Sequence, residues 1–173
     1  RVKGCTYELI KKDICDLTLE DIGTNVDYIV NFAAESHVDR SISNGLQFVH
    51  SNIDGVFNLL EIAIKIPSLK KFVQISTDEV YGDKLNGESL TTDMLNPSSY
   101  YSASKAAADM LVKSAGRTYG LPYLITRTCN NFGEMQHPEK LIPIIMNCIN
   151  DDVEIPIYGD GTTVREWIWV EDN

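Results

Sequence analysis

Short apolar runs alternate with segments of helical spacing along this chain, and that alternation constrains the fold more than any other feature. The apolar runs are VDYIVNFAA (26–34), KFVQIS (71–76) and PYLITRT (122–128). Between the first two, 46–66 carries Phe48, Ile53, Val56, Leu59, Leu60 and Ala63 at helical spacing and stops at Pro67. A long helix is expected from about Tyr101 to Tyr119. A further short strand is expected at 7–12, followed by a short helix capped by Asp16. Near-continuous apolar strands separated by amphipathic helices predict βαβ units, hence an α/β fold with a parallel sheet covered on both faces.

Ligands of such sheets bind at the carboxyl ends of the strands. Each run here ends in a polar cluster: Asp13 after 7–12, then AAESH (33–37), STDE (76–79) and CNNF (129–132). Thr77, Asp78 and Glu79 set a hydroxyl and two acids side by side where a buried strand should end. Tyr101 and Lys105 are four apart, which puts both on one helix face. An ammonium beside a phenol favours the phenolate and lowers its pKa from about 10, giving a base for a sugar or alcohol hydroxyl. Each feature has a plainer reading alone. Asp78 and Glu79 could be a solvated loop, Asp13 a turn residue, Asn130 and Asn131 an Asx turn. His37 is expected to be a structural hydrogen-bonder. Arg165, in VREW between apolar runs, is expected near a partly buried site, with Trp167 and Trp169 in packing roles.

The net charge of −10, with no Lys/Arg-rich run, argues against a nucleic-acid or anionic-membrane surface. Cys5, Cys15, Cys129 and Cys148 form no CxxC pair and the three histidines are scattered, so buried free thiols are expected and no metal site. No run approaches membrane-span length and no signal peptide opens the chain, so a soluble, cytoplasmic protein is expected. At 173 residues the chain is about one domain long. No G-x-G-x-x-G lies between a first strand and a helix. Either this is not a dinucleotide fold, or an opening βαβ unit of roughly 30 residues precedes Arg1; a fragment is the expectation.

NFAAESHVDRSI, STDEVYGD, PSSYYSASK, RTCNNFG, HPEKLIP and IYGDGTTVREWIWVED, in that order from residue 31 to residue 172, together resemble the nucleotide-sugar 4,6-dehydratases of the extended short-chain dehydrogenase/reductase family. The resemblance implies a Rossmann-like NAD-binding domain over 1–130, without its N-terminal βαβ unit, and the start of a smaller nucleotide-sugar domain over 131–173. It implies a lyase that uses retained NAD twice and turns a nucleotide-diphosphate glucose, dTDP-glucose first, into the 4-keto-6-deoxy sugar. A UDP-glucose enzyme and a non-catalytic NAD-binding relative are the alternatives. Tyr101 would take the C4-hydroxyl proton, with Thr77 bonded to the same oxygen. Glu79 would take the C5 proton, and protonated Asp78 would donate to the leaving C6 hydroxyl. Mutual repulsion and burial let one of two such neighbours keep a proton while the other is ionised. Both can reach a substrate only if the chain turns at Asp78, because successive strand residues face opposite ways.

The same resemblance implies cofactor contacts at Asp13, Ile14, Phe32, Ala33, Ala34, Glu35, Ser36, Ser51, Tyr101, Lys105 and Phe132. It implies substrate contacts at Ser36, Thr77, Asn131, Lys140, Leu141, Pro156, Ile157, Tyr158 and Arg165, the last as a bidentate diphosphate ligand. A homodimer through the helices at 46–66 and 101–119 is implied as well. Tyr100 and Glu134 depart from the family pattern, each standing where proline is common.

Overall fold

The computed structural model describes residues 4–36, 44–84, 86–157 and 159–173. His37 and Tyr158 therefore lie outside the described residues. The chain divides into two compact units, Arg1–Arg127 and Thr128–Asn173.

In the first unit, β1 (Tyr28–Asn31), β2 (Lys71–Thr77) and β3 (Tyr123–Thr128) form a sheet in that order. β1 and β2 run parallel, with Ile29 opposite Phe72 and Asn31 opposite Gln74. Their carboxyl ends, and the polar clusters that follow, thus lie at one rim. The two-residue period of a strand puts Ile29, Asn31, Phe72, Gln74 and Ser76 on one face. Two helices share a core with that face. Helix α2 is one run through Gly45–Val49, a π turn at His50–Asp54, and Gly55–Ala63. Helix α3 spans Tyr100–Tyr119. Val56, Leu59, Leu60 and Ala63 of α2 meet Phe72 of β2 and Ala108, Val112 and Ala115 of α3 in one apolar cluster. Burying such side chains stabilises by about 1.5–3 kcal/mol each before the ordering entropy is subtracted.

Local sequence explains where α3 starts and stops. Ser99 accepts from Ser102 N–H and Ser102 bonds back to Ser99 N–H, while Gly120, at φ 71°, closes the other end. The short helix α1 is Leu19–Ile22; its cap is Thr18, paired with Asp21, rather than the expected Asp16. Asp16 instead donates its N–H to the Asp13 carbonyl in the preceding turn.

Three other expectations need correction. No strand forms across 7–12, where Tyr7 and Leu9 are exposed: a strand requires a neighbouring strand, whatever its own composition. Among the described residues the sheet is covered on one face only. On the other, Tyr28 and Val30 of β1 are exposed and Val73 and Ile75 of β2 half-buried. The cysteines form no disulfide among the described residues and are not deeply buried: Cys5 is exposed, and Cys15, Cys129 and Cys148 are intermediate. No helix among the described residues is long and apolar enough to cross a membrane.

The second unit pairs β4 (Asn130–Phe132) with β5 (Trp167–Trp169) in parallel. Phe132 meets Trp169 edge-on at 5.4 Å between centroids. Helix α4 (Leu141–Asp151) follows Lys140 and ends at Asp152, in the left-handed region at φ 52°.

Candidate active site

The two adjacent carboxylates stand on a tight turn. β2 ends at Thr77 and the chain winds at once into a 3-10 turn, Asp78–Tyr81. The Thr77 hydroxyl accepts from Glu79 N–H at 3.3 Å and donates to Asp78 Oδ1 at 3.2 Å. This is the turn that lets both carboxylates leave the strand. Gly82 terminates it at φ 78°, where a Cβ would lie 2.1 Å from the Asn96 carbonyl oxygen. Only glycine combines that φ with so close a backbone approach.

Tyr101 and Lys105 share one face of α3. Lys105 is 5% exposed, and its Nζ donates to the Ile75 carbonyl oxygen of β2 at 2.6 Å. Burial pushes its pKa down, with the Asp109 carboxylate opposing. Tyr101 stacks edge-on against Phe48 at 6.4 Å. Its phenol does not behave as the spacing predicted. Burial pushes its pKa up to about 12, the charges of Glu79 and then Asp78 add to that, and the Thr77 side chain pulls the other way. Lys105 does not figure among the groups that shift the phenol; its ammonium bonds the Ile75 carbonyl of β2. Thr77, Asp78 and Glu79 all enter that balance.

The loop after β1 is fixed by a residue that sequence reasoning missed. Asn52, buried in the π turn of α2, accepts from Glu35 N–H at 2.8 Å, donates to Glu35 C=O at 3.0 Å, and donates to the Ser104 hydroxyl of α3 at 2.9 Å. It thereby ties loop 32–36 to the helix that carries Tyr101. Phe32, Ala33 and Ser36 are exposed, Ala34 and Glu35 half-buried. The half-buried Ser51 precedes Asn52. Ile14 is held to α2, where Asn58 donates to the Ile14 and Leu17 carbonyls at 2.8 and 2.9 Å, while Asp13 Oδ1 accepts from Cys15 N–H at 2.8 Å.

Ligand atoms of Asp13, Cys15 and His50 come within 4.8 Å of one another, a cluster that the scattered sequence positions hid. The Cys15 thiol donates to the His50 carbonyl at 3.3 Å, and burial pushes its pKa up to about 11. A metal would require the thiolate.

In the second unit, Asn131 donates to Thr128 Oγ1 at 3.0 Å and leaves its own Oδ1 buried without a partner. Lys140 and Leu141 sit at the start of α4, and Pro156 and Ile157 are exposed. Arg165 is exposed too, donating to the neighbouring Val164 carbonyl, so the expectation of a partly buried position is corrected.

A buried charged group completes the first unit. Arg127 Nε donates to Asp109 Oδ2 and Nη1 to the Tyr81 hydroxyl, both at 2.8 Å. The sequence did carry a trace of it: Arg127 is a lone cation in the apolar run LITRT, and Asp109 stands one helical turn after Lys105.

Residues 2–173 match the NAD dependent epimerase/dehydratase family. The chain belongs to that family. It is 51% identical to the low-salt glycan biosynthesis protein Agl12 of Haloferax volcanii, covering 96% of this chain and 54% of that one. It is 47% identical to the dTDP-glucose 4,6-dehydratase of Haemophilus influenzae, over 96% of this chain and 53% of that protein. The fold matches that of DesIV, a dTDP-glucose 4,6-dehydratase from Streptomyces venezuelae solved with NAD bound. There the TM-score is 0.89 and the identity 45%, over 94% of this chain and 51% of DesIV. The chain thus spans about half the length of the relatives it matches.

Proposed function

We propose that the whole protein is a nucleotide-sugar 4,6-dehydratase that converts dTDP-glucose to its 4-keto-6-deoxy form in the cytoplasm, with NAD as cofactor. One observation carries this reading: β2 ends at Thr77 and winds at once into the Asp78–Tyr81 turn, so a hydroxyl and two adjacent carboxylates leave one strand end together, with Thr77 bonded to Asp78 and to Glu79 N–H. An oxidation alone needs one base. Removing water from C5 and C6 needs a second base and an acid beside it, which Glu79 and Asp78 supply.

The residues present fit the cofactor. The Lys105 ammonium has donors beyond the one given to Ile75, and the buried Ser76 hydroxyl has no protein partner. Ala33 and Ala34, small residues at the strand-end rim, leave room for close approach. Lys105 and Tyr101 would bind its ribose, with Asp13, Ile14, Ser51 and loop 32–36 along the rest of it and Phe132 as a further contact. When bound, NAD supplies a hydride acceptor and a positive charge.

Tyr101 would take the C4-hydroxyl proton as the C4 hydrogen leaves with its electron pair to the hydride acceptor, and the ketone so formed acidifies the proton at C5. Glu79 would remove the C5 proton while Asp78 protonates the departing C6 hydroxyl, and return of the hydride to C6 with a solvent-derived proton to C5 would complete the 4-keto-6-deoxy sugar. Thr77, which already bonds Asp78, orients the C4 oxygen. Asn131, Lys140, Leu141, Pro156, Ile157, Tyr158 and Arg165 are proposed for the nucleotide diphosphate. A homodimer through α2 and α3 belongs to the same reading; exposed Phe57 and Met110 on those helices support it.

The test is product analysis by NMR after the intact protein meets dTDP-glucose and UDP-glucose separately, in deuterated solvent. Conversion of dTDP-glucose with deuterium entering C5 is expected, and Glu79→Gln should abolish that label while C4 oxidation persists. Preference for UDP-glucose would reassign the base. Full turnover by Glu79→Gln would remove it from the chemistry.

A further inference from the structure

The Arg127 guanidinium joins three elements. Arg127 itself belongs to β3, Asp109 to α3, and Tyr81 closes the turn that opens with Asp78 and Glu79. Besides its two hydrogen bonds at 2.8 Å, the guanidinium carbon lies 5.0 Å from the Tyr81 ring centroid. The pair is sequestered, with side-chain exposures of 10% for Arg127 and 0% for Asp109. Asp109 Oδ1 has no hydrogen-bond partner, and its charge is felt by Lys105 one helical turn earlier.

A buried ion pair is a poor way to add stability, because desolvation cancels much of the attraction, and apolar residues of equal volume often serve as well. What a guanidinium adds is direction. Its planar fork fixes the angle between the groups it binds, which a lysine or an apolar side chain cannot do. The two groups bound here belong to the two halves of the proposed chemistry. A displacement of about 1 Å between catalytic groups can lower a rate by roughly 10²-fold.

We propose that Arg127 is a positioning residue: by binding Tyr81 and Asp109 together, it locks the turn bearing Asp78 and Glu79 in register with the helix bearing Tyr101 and Lys105. This rests on the roles proposed above for those four residues. It assigns Tyr81 a part as well, as the handle by which the turn is held.

Tyr81→Phe is the cleanest probe, since it removes one acceptor and keeps the ring; Arg127→Lys keeps the charge and removes the fork. Two measurements on the intact protein separate the possibilities. Without substrate, hydrogen exchange in 78–82 should speed up by roughly tenfold in both variants, the scale of one lost charge-assisted bond, while α3 keeps its protection. With dTDP-glucose, deuterium entry at C5 should slow by about tenfold with little change in KM, the pattern of a displaced base, and C4 oxidation should change much less. Unchanged exchange in 78–82 would overturn the proposal. So would a uniform loss of protection and of both steps together with a lowered Tm, which marks a merely structural role. If the unaltered protein converts no sugar nucleotide, the functional reading fails, and exchange alone still decides whether Arg127 holds the turn.

Discussion

Tyr101 begins as a poor base, because burial and two nearby carboxylates all oppose phenolate formation. The sign of each contribution can be tested. Glu79→Gln removes one negative charge, so the Tyr101 pKa should fall from about 12. Absorbance titration near 295 nm, referenced to a Tyr101→Phe variant to cancel the other tyrosines, measures it. An unmoved or higher value would mean that Glu79 does not act on the phenol. The linkage to stability follows in sign. A folded pKa raised above the unfolded value of about 10 leaves this contribution intact below pH 10 and lost as the pH climbs toward 12. The sequence made the Tyr-Lys pairing legible from its four-residue spacing. It could not show where the ammonium would go, because that depends on the Ile75 carbonyl, and the backbone path of β2 is invisible in a pattern of side chains.

At the scale of elements, the turn after β2 hangs on a glycine and α3 on its cap. Gly82→Ala must bear a left-handed φ at about 1–2 kcal/mol and a Cβ against the Asn96 carbonyl oxygen, which is backbone and cannot swing away. Urea unfolding should register a loss of at least that size, with label entry at C5 slowed more than C4 oxidation. Ser99→Ala removes the acceptor for Ser102 N–H and should cost about 1 kcal/mol, with exchange at 100–103 rising first. A stability change within error for Gly82→Ala would mean that the turn adapts easily and is no rigid platform. Helices α2 and α3 could be read from apolar spacing, and strands β1 to β3 from apolar runs. The π turn could not. Its buried residue is Asn52, and a template that searches for apolar residues passes over a polar one whose partners, Glu35 and Ser104, lie 17 and 52 positions away. The supposed strand at 7–12 failed for the complementary reason: composition allowed it, and pairing decides.

For the whole molecule, the two units differ in how much each buries. The first holds Val56, Phe72, Ala108 and Val112 at 1% exposure or less around a shared core, whereas α4 of the second has no buried residue. Local opening costs least where few apolar side chains leave water. Amides of α4, β4 and β5 should therefore exchange by local opening well before those of α2, β2 and α3, by about a hundredfold or more in protection. Residue-resolved hydrogen exchange on residues 1–173 checks this. Binding supplies a second arm, since a ligand that binds only the folded form raises protection by the linkage of binding to folding. NAD is proposed to rest mostly on first-unit residues, so it should slow exchange in loop 32–36 and in α3 around Tyr101 and Lys105, with a smaller effect near Phe132. Equal protection of the two units without ligand would show that burial within each does not set its stability. Protection by NAD confined to the second unit would mean that the cofactor does not sit at Tyr101 and Lys105, and the assignment of the base would fall with it.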